Sequence, residues 1–121
     1  MRRLYEAVAK GDATTAADCF AEDAVWHLPG RSLIAGDHRG RDAIGKTLAT
    51  LKRLTNGTFK AALMDILVGN SHVVALQHAT GERSGKKLDL LACQLITVRH
   101  GRIESMQGFY SDQYALDAFW S

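Results

Sequence analysis

Proline is nearly missing from this chain: Pro29 is the single one among 121 residues. There are two cysteines, Cys19 and Cys93, far apart, without CxxC or Cys/His spacing and set among apolar neighbours. That excludes a disulfide framework or a cysteine zinc site and predicts buried, reduced thiols. Charge of one sign is also lacking, since fifteen basic residues face thirteen acidic ones for a formal net charge of +2. No Lys/Arg cluster interrupts that balance, so a nucleic-acid surface is not expected. No apolar run approaches the roughly 18 residues of a membrane span. Met1-Arg2-Arg3-Leu4-Tyr5-Glu6-Ala7 has two arginines but then an acid where a targeting segment needs an apolar core, so the expectation is a cytoplasmic protein without a membrane partner.

Metal and phosphate motifs are missing as well. His27, His38, His72, His78 and His100 show no HxH or HExxH spacing, and His38 and His100, beside arginines in turns, read as solvent-exposed. The glycines near Gly30, Gly36 and Gly40 lack the strand, GxxxxGK[ST], helix arrangement of a phosphate loop. No metal and no organic cofactor are expected. Arg39 and Arg41 precede a helix, and solvated surface is their simpler role.

What is present suits one globular domain over residues 1–121, with 46% hydrophobic and 23% charged residues. Leu4, Tyr5 and Val8 recur at helical spacing before Gly11-Asp12, which can end one helix and cap a second over about 13–20. A short extended piece, Trp26-His27-Leu28, then stops at Pro29-Gly30 and marks the rim of a pocket or a packed corner. After a loop over 31–39, Ile44, Leu48 and Leu51 form the apolar stripe of a helix over about 41–54, closed by Asn56-Gly57.

From Thr58 onward the spacing predicts four strands, 59–68, 72–80, 88–98 and 103–111, separated by turns and forming an antiparallel meander. Stretches such as Leu90-Leu91-Ala92-Cys93 are apolar on both faces, so helices cover one face and a second subunit is expected on the other. Asp112 is a good N-cap for a short docking helix that ends in Phe119-Trp120.

This order resembles the NTF2-like superfamily and its SnoaL-like branch, which includes polyketide cyclases and relatives of ketosteroid isomerase. The residues that carry the resemblance are Gly11-Asp12, Phe20-Ala21-Glu22-Asp23-Ala24-Val25-Trp26 leading to Pro29-Gly30, Gly40-Arg41-Asp42-Ala43-Ile44, Gly101-Arg102-Ile103, and Asp112-Gln113 with Asp117-Ala118-Phe119-Trp120. The strand Gly101 to Tyr110 is also similar to the matching strand of the steroid Δ5-isomerases. The resemblance implies an α+β fold: a cone in which a strongly curved antiparallel sheet wraps three N-terminal helices, with a short C-terminal helix. It implies a homodimer through the sheet and a pocket for a small hydrophobic organic ligand. It does not single out an activity, because the fold hosts both enzymes and binding modules.

Steroid isomerisation is disfavoured. The isomerases keep a catalytic aspartate where this chain has Leu28, and a helix-one tyrosine at or near Leu4. Their mechanism needs that carboxylate base together with the tyrosine. The leading expectation is therefore cofactor-free proton transfer next to a carbonyl, giving cyclisation or isomerisation. The alternative is a non-catalytic ligand-binding or accessory dimerisation module.

In the enzyme reading His27 or Asp112 moves the proton. His27 has a reference pKa near 6.5 and adjoins the missing aspartate position. Asp112 lies at the end of the last strand, where a cyclase of this branch would place an acid or base. Gln94, polar within an apolar run, or His78 stabilises the oxygen. Gln77 and His78 point to opposite faces of one strand. Trp26, Leu28, Met106 and Tyr110 supply the apolar walls of the substrate pocket.

Overall fold

The computed structural model describes residues 2–121. Helix α1, Arg2–Ala9, buries Leu4, Tyr5 and Ala7. The chain reverses at Gly11-Asp12, and the Asp12 carboxylate caps α2, Ala13–Asp18, by accepting the Thr15 N–H at 3.0 Å. That helix stops two residues earlier than its apolar pattern predicts, because Phe20 already belongs to a strand.

Strand β1 runs over Phe20–Leu28, much longer than the expected extended piece. Within the expected 31–39 loop lies a further strand, β2, Gly36–Arg39, paired antiparallel to β1. Its sequence, Gly-Asp-His-Arg, has no apolar alternation, which explains why the pattern misses it. Helix α3 occupies Arg41–Leu54 as expected.

The meander follows as β3 Lys60–Val68, β4 Val73–Arg83, β5 Lys86–Arg99 and β6 Arg102–Tyr110. The β4–β5 hairpin is tighter than predicted. Ser84 and Gly85 form a two-residue connection, with φ of 50° and 78°, the positive φ pair of a type I′ turn. In space the strands order as β2-β1-β6-β5-β4-β3. The expectation of a wholly antiparallel sheet needs one correction: β1 lies parallel to β6, with Trp26 opposite Met106.

Helix α4, Gln113–Phe119, is capped by Asp112, whose carboxylate accepts the Ala115 N–H at 3.0 Å. The helix delivers Phe119 and Trp120 into the core, their rings 4.8 Å apart and edge to face. It also holds the proline corner: Gln113 Nε2 donates to the Pro29 carbonyl at 3.3 Å, and the Arg31 N–H donates to Asp117 Oδ1 at 3.1 Å. One core therefore runs between the inner face of the sheet and the helices, with Phe20, Ile44, Ile96 and Trp120 almost fully buried. Among the described residues, no helix is long and apolar enough to cross a membrane.

Candidate functional site

Strand alternation determines which side chains reach the interior. On β1, Trp26 and Leu28 point inward, on β6 Met106 and Tyr110, and on β5 Gln94. They meet Tyr5 of α1 and Trp120 around an internal cavity of about 50 Å³. A dry apolar cavity of roughly 150 Å³ holds benzene, so this space takes a few heavy atoms without rearrangement.

Its wall toward α3 is one side chain thick. Val8, Leu48, Leu51 and Phe59 line the cavity and also an outer groove of about 660 Å³ between α1, α2 and α3. Leu48, part of the predicted helix stripe, is only half-buried because it stands in that wall.

The polar groups of the cavity are few and uncharged. The Tyr5 hydroxyl donates to Gln77 Oε1 at 2.6 Å. Burial pushes the Tyr5 phenol far above its ordinary value, and the neighbouring Tyr110 and Cys93 act in the same direction. Tyr110 is likewise raised by burial, while hydrogen bonding from Gln94 works against the shift. Gly108 sits opposite Gln94 in the β5–β6 register, and a Cβ there would meet the Tyr110 ring and hydroxyl at 2.8 Å. The glycine thus lets that ring fold back across the strand toward Gln94. Among the described residues, no carboxylate, imidazole, ammonium or guanidinium lines the cavity.

Trp26, Leu28, Gln94, Met106 and Tyr110 therefore come together, and three other sequence candidates do not. His27, between two inward residues, faces outward and meets Asp37 at 2.6 Å, its cross-strand partner. That contact holds the Asp37 carboxyl below its ordinary value. His78 also points away from the cavity and pairs with Asp89. Its neighbour Gln77 takes the inward position. Asp112 spends its carboxylate on the helix cap and stays outside the cavity.

Two further corrections concern aromatic residues. The helix-one position thought to be apolar has a tyrosine beside it, and Tyr5 as well as Leu4 reaches the cavity. The periodicity of Leu4, Tyr5 and Val8 already placed Tyr5 on the core face. His38 is not in an exposed turn but half-buried in β2, its ring 6.4 Å from that of Trp26. Its Nε2 lies 2.7 Å from the Ile34 carbonyl, which only accepts, so Nε2 carries a proton. Its Nδ1 faces the Thr47 hydroxyl at 3.1 Å.

Arg41 is likewise committed to structure, its Nε and Nη2 donating to the Phe20 carbonyl. Among the described residues, no three His, Cys, Asp or Glu side chains gather into a set that could hold a metal ion.

Comparison with known proteins matches this architecture to one family. The family model described as "SnoaL-like domain" matches residues 1–106. An uncharacterised protein of Mycobacterium tuberculosis is 34% identical over 122 residues, an alignment covering 100% of this chain and 93% of that protein. The solved structure of Bal32a, from a soil-derived mobile gene cassette, is 41% identical with a TM-score of 0.95, covering 99% of this chain and 92% of that one. A protein of unknown function with a cystatin-like fold from Xanthomonas campestris is 28% identical with a TM-score of 0.91, covering 99% and 94%. Structures described as NTF2-like and as having a ketosteroid isomerase-like fold, 23% and 18% identical, share the fold alone.

Proposed function

The chain belongs to the SnoaL-like domain family, and from that premise we propose that it binds a small organic ligand in its internal cavity without carrying out proton transfer on it. The observation that carries this reading is the chemistry of the walls. Proton abstraction next to a carbonyl needs a base within hydrogen-bond reach of the substrate. The side chains that the sequence nominated for that work, His27 and Asp112, are engaged outside the cavity with Asp37 and with the first turn of α4. What remains inside is apolar surface, two phenols, two amides and one indole N–H, a lining suited to recognition.

In this proposal the whole chain, residues 1–121, acts as one domain. The ligand enters across the thin wall of Val8, Leu48, Leu51 and Phe59, which separates the cavity from the outer groove.

We also propose that the protein works as a homodimer through the outer face of the sheet. The register aligns Leu76, Cys93 and Phe109 in one row and Leu67, Val74 and Leu95 in the next, and Leu67, Leu91 and Phe109 are each about half exposed. An apolar patch of this kind marks an interaction surface.

The test of the ligand reading is a panel of small ketones, esters and alcohols titrated against isotopically labelled protein, with exchange of ketone α-protons followed in the same samples. The expected result is shifts of amides around Trp26, Gln94 and Met106 with no exchange above buffer. Exchange that is lost in His27→Ala or Asp112→Asn would establish the enzyme reading instead. Absence of any shift across the panel would end the cavity reading.

A further inference from the structure

Two buried polar atoms of cavity-lining residues have no counterpart among the described residues. Trp26 and Gln94 are 5% and 3% exposed, both line the cavity, and among the described residues the Trp26 Nε1 donor and the Gln94 Oε1 acceptor have no hydrogen-bond partner. Such groups are rare in folded interiors and mark a place where something else supplies the bond. Trp26 comes from β1 and Gln94 from β5, and β6 separates them, with Met106 beside Trp26 and Gly108 beside Gln94. The two atoms differ in kind: an indole N–H only donates and an amide oxygen only accepts. Of the other polar groups in the wall, Tyr5 and Gln77 are bonded to each other, and the Tyr110 hydroxyl takes its hydrogen bond from the amide of Gln94, which leaves the Gln94 oxygen free among the described residues.

We infer that the cavity is built for a small uncharged molecule bearing both a carbonyl and a hydroxyl, the carbonyl oxygen accepting from Trp26 Nε1 and the hydroxyl donating to Gln94 Oε1. This deepens the ligand-binding reading and rests on it. The absence of ionised side chains from the lining among the described residues excludes a carboxylate or an ammonium at this position, since a charge would lose its hydration without a partner. A volume of about 50 Å³ restricts the buried part to a few heavy atoms, either a whole small hydroxyketone or the polar end of a larger molecule entering past Leu48 and Phe59.

Four probes separate this ligand class from its rivals: hydroxyacetone, acetone, propionate and xenon, each titrated by amide shifts against the intact protein, Trp26→Phe and Gln94→Met. Hydroxyacetone should bind several-fold more tightly than acetone, and propionate should leave the cavity amides unmoved. Each substitution should weaken hydroxyacetone about tenfold, as loss of a buried hydrogen-bond partner does, and leave xenon binding intact. Should one variant fail to fold, the other carries the same comparison.

Xenon binding together with hydroxyacetone affinity that neither substitution changes would mean that water serves the two atoms, overturning the inference while the cavity reading stands. Propionate binding as tightly as hydroxyacetone would overturn it too. If no probe, xenon included, shifts the cavity amides, the cavity reading itself fails.

Discussion

The Tyr5 hydroxyl joins helix α1 to the cavity wall by donating to Gln77 of β4. Burial raises the Tyr5 and Tyr110 phenols, so both hold their protons in the fold at a pH where an unfolded chain, with phenols near 10, releases them. The sign follows from linkage: their contribution is complete below about pH 10 and is lost as pH climbs through the folded values. Denaturant midpoints should therefore fall with rising alkaline pH, and Tyr5→Phe should flatten that slope. The check is unfolding at a series of alkaline pH values, alongside phenolate absorbance. An identical slope in Tyr5→Phe would refute the assignment. At this scale the sequence was legible in residue type and blurred in direction. Trp26, Leu28, Gln94, Met106 and Tyr110 were all nominated and all face inward, whereas His27 and His78 were nominated and face out. A one-residue shift in strand phase reverses every side chain, and nothing local to the Trp26-His27-Leu28 tripeptide sets that phase.

Among the elements, α3 and the four meander strands follow directly from apolar period and turn residues. The miss was β2, four residues whose strand character comes wholly from pairing with β1. Helix α4 shows how one residue can look catalytic and be architectural. Asp112 stands at the end of β6, where a reacting group could be placed, yet its carboxylate caps the Ala115 N–H. Asp112→Ala is expected to cost about 1 kcal/mol of stability, the usual loss for a helix cap, and to leave ligand affinity unchanged. Chemical denaturation and the ligand titration measure the two effects separately. A ligand defect out of proportion to the stability loss would return Asp112 to the candidate site.

For the whole molecule, the two faces of the sheet have different fates. The inner face closes on the helices and forms the cavity, while the outer face presents Leu67, Leu91 and Phe109 about half exposed. In the proposed homodimer, Phe109→Glu places a charge within that patch and should convert the protein to a monomer with its fold retained. Sedimentation velocity read together with circular dichroism tests this. A wild-type protein that sediments as a monomer at every concentration would remove the dimer.

Sequence alone determined the α+β order of elements and the SnoaL-like family, because period, turn chemistry and caps are local properties written within a dozen residues. Only the tertiary structure decided which side chains share the cavity. The strands β1, β4, β5 and β6 are distant along the chain, and their phases are locked to one another by register and by what packs on each face. That locking turned His27 and His78 outward, brought Tyr5 and Gln77 in, and left Trp26 and Gln94 with one donor and one acceptor that no other described residue pairs.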